Sequence, residues 1–310
     1  MKNFRLLVFL SIFFCTAAAA RALDWQELKG EHFIVYFTPS QQGTSPQGAE
    51  IDPSTSLECN GERSRTIDFV KEVLHKAELY YQRIALDLGY PRYSEFWTWD
   101  KRVKIYIYPD HTSYVKETGH PEWSHGMADY NKKEILSYSL SKDFLDSILP
   151  HEMAHLIFRD FVGFKGDIPL WLDEGVAQWE ETEKRQKIIS IIRDFYNKDS
   201  LLSITDMMKL DIRNIKKMDG LHIRSIITKK GDRGVLFLTG ENLLNIYYIQ
   251  SVSLVGFLIE KYGSAAFADF CRSLRDGKSV EQALTSAYPN HIRNLEEFEK
   301  NWRKYLEESN

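Results

Sequence analysis

Residues 141–161 read SKDFLDSILPHEMAHLIFRDF, and within them lies His151-Glu152-Met153-Ala154-His155. Apolar residues recur through the stretch at helical spacing. Ser141 is placed to cap the start and Gly163 to stop the end. Four residues advance a helix by about 400°, so His151 and His155 share one face, about 6 Å apart along the axis. Two imidazoles so placed can reach one zinc ion at about 2.0–2.1 Å. Glu152 lies beside them, where it can hold a water that zinc acidifies and take its proton during attack on a carbonyl. Pro150 removes a backbone donor just before the pair and is expected to kink the helix.

A catalytic zinc needs a third protein ligand and an open position. Downstream, PLWLDEGVAQWEETEKRQKIISIIRDFY (169–196) reads as one long helix starting near Pro169. Glu174 falls near its beginning, nineteen residues after His155. Gly175 and Ala177 are small enough to let this helix approach the first closely, bringing Glu174 to the metal. The acidic residues of the segment, Glu180 and Glu181 among them, equally suit a helix N-terminus, whose dipole favours negative charge.

Upstream, EHFIVYF (31–37) and RVKIYIYPD (102–110) read as strands, the second alternating Val103, Ile105 and Ile107 against Lys104, Tyr106 and Tyr108. KEILSYSL (133–140) is a third. Residues 64–89 carry an amphipathic pattern ended by Gly89 and Pro91, and 41–63, rich in Gly, Pro, Ser and Gln, read as a flexible insertion. Residues 211–241 are mixed and loop-rich. After them come three helical stretches: 242–263, SAAFADFCRSLRDG and the terminal NLEEFEKNWRKYL. The expected class is α+β. An N-terminal sheet subdomain (23–140) precedes a mainly helical subdomain (141–310) that carries the metal site.

Residues 1–22 read as a signal peptide. Lys2 and Arg5 precede an apolar run, and Ala20-Arg21-Ala22 offers a cleavage site. The expectation is an exported chain, periplasmic or secreted, with no later segment apolar and long enough to cross a bilayer. Removing Lys2, Arg5 and Arg21 with the leader takes the formal charge from −4 to −7. That balance argues against nucleic acid as a partner. Of three cysteines, Cys59 and Cys271 remain, a pair that an oxidising compartment could join or leave as thiols. His111, His120 and His125 cluster before the third strand, either as polar loop residues or as a second metal site, and His125 could face the cleft.

HEMAH followed by PLWLDEGVAQWEE resembles the gluzincin class of zinc metallopeptidases, and most closely the exported bacterial "peptidase MA-like" group. The resemblance covers roughly 31–310, excluding 41–63, and its zinc triad is the specific part. It implies a zincin-like α+β fold and a zinc-dependent peptide hydrolase acting on a peptide or protein substrate. His151, His155 and Glu174 match the metal ligands, and Glu152 the general base. A Tyr on a later helix would hold the oxyanion, with Tyr248 the better match and Tyr247 its competitor. Asp173 or Gln178 could orient a ligand. The Glu that binds a free amino terminus in aminopeptidase relatives has no counterpart in Gly126-Met127-Ala128-Asp129-Tyr130, so exopeptidase specificity does not carry over. The rival reading is an exported, non-catalytic zincin-fold binding or scaffold module.

Overall fold

The computed structural model describes residues 23–38, 53–90, 97–122, 124–164, 168–215 and 220–308, with backbone alone for 53–63 and 214. The expected signal peptide, 1–22, lies outside the described residues.

The chain is mixed α+β, as expected. Strands β1 (Gln26–Lys29), β2 (Phe33–Phe37), β3 (Val103–Tyr108), β4 (Gly126–Asp129) and β5 (Glu134–Tyr138) form one sheet in the order β1-β2-β3-β5-β4. The three central strands β2, β3 and β5 run parallel, and the two edges are antiparallel to their neighbours. The alternation read in β3 sends Val103, Ile105 and Ile107 into the core. Strand β1 and the helix α2 (His111–Thr118) were not anticipated. α2 is capped by Asp110, which accepts from the Ser113 amide at 2.8 Å, and stopped by Gly119 at φ 72°.

Helix α1 (Pro53–Asp87) is the crossover between the parallel strands β2 and β3. It corrects the expectation of an insertion running to residue 63. The polar stretch 53–63 has no apolar stripe, yet extending a helix already nucleated by packing costs little. The remainder of that expectation, 41–52, lies outside the described residues.

Helix α3 (Leu149–Val162) ends at Gly163 as expected, but it does not start at Ser141. A π-type turn, Phe144–Ile148, leads into it. Pro150 explains the difference. A continuous α-helix would ask its missing N–H to reach Asp146 and would press its ring on that carbonyl, and the wider turn relieves both.

The single long helix expected after Pro169 is two, α4 (Leu170–Trp179) and α5 (Thr182–Asn197). At the break, Arg83 of α1 donates to the Glu180 carbonyl at 2.6 Å and to Thr182 Oγ1 at 2.8 Å. The guanidinium thus satisfies a carbonyl that the helix has released. After α6 (Ile204–Met207), the segment expected to be loop-rich holds a two-stranded ribbon, β6 (His222–Ile227) and β7 (Arg233–Leu238).

α7 (Gly240–Tyr262), α8 (Ser264–Arg275), α9 (Val280–Ala287) and α10 (Leu295–Glu308) complete the chain. By length and apolarity alone α7 could cross a bilayer, contrary to expectation, but most of its apolar window is buried inside the protein. It packs closest on α4. A Cβ built on Gly175 would lie 2.6 Å from the Ser251 carbonyl, and one on Gly256 would lie 2.3 Å from the Trp179 ring. Core packing is continuous from the sheet through α1 and α3 to α7, α8 and α10. Cys271 of α8 is a free thiol in that core, its pKa pushed up by burial, and the side chain of Cys59 lies outside the description.

Candidate metal centre

α3 is buried on most sides, with Met153, Ala154, Ile157 and Phe158 inaccessible to solvent. This anchoring leaves the face with His151 and Glu152 toward a cleft and fixes the rotation of the helix. The two imidazoles meet nearly at right angles (79°), with Nε2 of each 3.3 Å from Nε2 of the other. Across the gap, Glu174 offers a carboxylate from α4. One ligand atom each from His151, His155 and Glu174 lie within 4.8 Å of one another, the one such group that could hold a metal among the described residues.

The outer nitrogens of both rings are already engaged. His155 Nδ1 is 2.9 Å from Asp173 Oδ1, and His151 Nδ1 is 2.9 Å from Glu181 Oε1. A carboxylate accepts only, so each ring holds a proton on Nδ1 and turns Nε2 inward. Two bare lone pairs 3.3 Å apart would repel, so the gap suits a cation, either a proton shared between the rings or a metal ion bound to both. Two nitrogens bound tetrahedrally at 2.0–2.1 Å would be about 3.3–3.4 Å apart. The donor set therefore fits a zinc ion.

The electrostatics agree. Burial disfavours the charged form of His155, but its bond to Asp173 and the charges of Asp173, Glu174 and Glu152 together push its pKa up to about 9. The site attracts positive charge. Burial raises the Glu174 pKa against the lowering effect of both imidazoles. For Glu181, burial is outweighed by the His151 bond and the His151 and Lys184 charges, so its pKa is lowered. Glu181 also accepts from Lys184 Nζ at 2.8 Å and from the Ser147 hydroxyl, so its orientation is fixed from three sides.

Two cavities flank this group. One, about 530 Å³, is lined by His151, Glu174, Gln178, Lys187, Tyr248 and Ile249. The other, about 290 Å³, is lined by His151, Glu152, Glu181, Ser124, His125 and Gly126, and so reaches the start of the edge strand β4. Glu152 sits in the wall of the second, away from the ring partners.

The sequence-derived residues divide accordingly. His151, His155 and Glu174 come together, with Glu152 beside them. Tyr248 lines the cleft next to Glu174, and its hydroxyl pKa is pushed up to about 12 by burial and then by the Glu174 charge. Tyr247 is 1% exposed and belongs to the core. Asp173 holds the His155 ring through its Nδ1, whereas Gln178 only lines the cavity. His125 reaches the cleft wall, and its Nδ1 is 2.6 Å from the Tyr138 hydroxyl. Of the two readings left open for His111, His120 and His125, the polar-loop one fits. His111 contacts the Ser124 carbonyl at 3.2 Å and His120 stacks on Tyr114, so the three histidines do not converge on one point.

Two residues escaped the sequence reading. Glu181 was masked by the assumption of an unbroken helix. Tyr130, in the turn between β4 and β5, stands edge-on to His155 with ring centroids 5.9 Å apart, and Arg159 covers its face at 5.2 Å. Its hydroxyl pKa is raised by burial and by the charges of Glu152, Asp173 and Glu174. The chain matches no protein-family model and no curated protein.

Proposed function

We propose that the protein is a zinc-dependent peptide hydrolase of gluzincin type on a zincin-like fold, exported after removal of residues 1–22. One observation carries the reading. Two Nε2 atoms converge at 3.3 Å, both Nδ1 atoms are tied to carboxylates, Glu174 is within reach of the same point, and Glu152 stands beside them outside that group. The sheet supports it, since β4 pairs with β5 alone among the described strands and its first residue, Gly126, borders the cleft.

His151, His155 and Glu174 would hold the metal. Bound zinc supplies Lewis-acid polarisation of a carbonyl and lowers the pKa of water. A substrate main chain lies along β4, where strand-like pairing aligns it. Glu152 takes the proton of the attacking water and returns it to the leaving amine. Tyr248 donates to the oxygen that gains charge. Asp173 and Glu181 keep the two rings in the tautomer that ligates.

The test is a mass-spectrometric cleavage profile of a proteome-derived peptide library, run with zinc on wild type and Glu152→Gln. Wild type is expected to cut and the variant to lose about 10²–10⁴ in rate at unchanged zinc content. Stoichiometric zinc with identical inert profiles for both proteins would sink the reading in favour of a non-catalytic binding module.

A further inference from the structure

The β6–β7 ribbon has two unlike faces. Ile226 and Leu238 point inward and are buried, and Leu236 packs on the core. The register sets Ile223 opposite Phe237 on the other face, with Val235 two residues along. There Ile223, Val235 and Phe237 are 60%, 56% and 61% exposed, and the preceding Leu221 is 67% exposed. Scattered apolar residues on a surface need no explanation, but four gathered on one ribbon face do.

The edges differ as well. β6 is covered, with Ile226 bridging to Leu202 and the Ser225 carbonyl accepting from Ser203 at 2.9 Å. β7 pairs with β6 alone among the described residues, so alternate backbone N–H and C=O groups along Arg233–Leu238 face outward. An apolar face meeting an open strand edge asks for a partner with both side chains and a main chain, which a lipid surface lacks.

Position gives the partner. β7 runs directly into α7, whose residues Asn245 and Tyr248 line the larger cavity. At about 1.5 Å per residue, Tyr248 lies roughly 12 Å along α7 from its first residue, Gly240, two residues after the ribbon ends. We propose that the β7 edge and the outer ribbon face receive an extended apolar polypeptide segment by strand addition, holding a long substrate chain beside the cleft. The inference rests on the reading of the protein as a peptide hydrolase.

Binding is measured on full-chain Glu152→Gln protein with a fluorescent, alternating Val/Thr decapeptide. A matched probe carries N-methyl groups on alternate backbone amides, which removes strand pairing but keeps the side chains. N-methylation, and separately the double variant Ile223→Ser/Phe237→Ser, should each weaken binding about tenfold. With Glu152 intact, that double variant should lose about tenfold in cleavage of a long unfolded polypeptide while cutting a short peptide at the wild-type rate. Both substituted side chains are exposed, so the fold is retained. Binding indifferent to both changes overturns the proposal. So does a ribbon variant that loses only association with phosphatidylglycerol vesicles, or only a concentration-dependent dimer. If the decapeptide binds as expected but no form cleaves any peptide, the docking site stands and the hydrolase reading falls.

Discussion

Asp173 and Glu181 do for the two imidazoles what neither ring can do alone. Each removes the alternative tautomer by accepting from Nδ1, and each holds a ring plane through a 2.9 Å contact. Substituting Asp173→Asn or Glu181→Gln should therefore weaken zinc binding about 10–100-fold, read by competition with a chromophoric chelator. The two tyrosines separate just as cleanly. Tyr248→Phe should lower kcat about 10²–10³-fold with little change in KM, because it removes a donor needed only as charge develops. Tyr247→Phe acts in the core, so its effect should appear in the melting temperature and leave kcat alone. An equal kcat loss in both variants would undo the assignment.

Among elements, the contact between α4 and α7 decides where Glu174 sits. Two glycines permit it, and Gly256 faces the harder obstacle. A new Cβ there meets the flat, buried Trp179 ring at 2.3 Å, with no flexible chain end to give way. Gly256→Ala should destabilise the protein by about 1–3 kcal/mol in chemical denaturation. A neutral effect would show that the two helices can part without strain. The elements also show what the chain made legible beforehand. HEMAH on a helix, Glu174 and the alternation of β3 are local patterns of spacing, and spacing survives folding. The break at Glu180–Glu181 is not local, because Arg83 stabilises it from a helix almost one hundred residues earlier. Hence Glu181 read as a helix-surface acid, although the break is what turns it back to His151. The π-type turn was legible only as the kink expected at Pro150, because the proline marks where the helix must yield and not how. The β6–β7 ribbon was missed although its strands are joined by a short turn, since Ile223, Val235 and Phe237 place apolar residues on the exposed face and blur the alternation.

At the scale of the whole molecule, the α1–α4–α5 junction makes stability depend on pH through Glu180. The carboxyl is 1% exposed. Burial and the Asp87 charge raise its pKa to about 7, and Arg83 and Arg185 offset this only in part. Arg83 Nε lies 3.4 Å away, and Arg185 is drawn to Asp87 at 2.9 Å. The folded pKa exceeds the unfolded value of 4.5, so the fold favours the protonated acid. That preference is fully present below pH 4.5 and is lost as pH rises through about 7. The cost above that range is on the order of 3 kcal/mol. Glu180→Gln should therefore raise the melting temperature at pH 8 and leave it near wild type at pH 4.5, and a constant offset at both values would exclude this origin. Arg83 keeps the Glu180 carbonyl and Thr182 as partners in that variant.

Cys271 gives this protein a built-in clock. Its thiol is wholly enclosed in α8, with its ionisation suppressed by burial, so a thiol reagent can reach it only when the helical core opens. In a Cys15→Ser/Cys59→Ser background, the labelling rate in native buffer would measure how often that opening occurs. The ligands proposed for zinc lie on α3 and α4, which share the core with α8, so added zinc should slow the reaction in proportion to the share of folding free energy the metal supplies. A rate indifferent to zinc would mean that the metal centre and the helical core open independently.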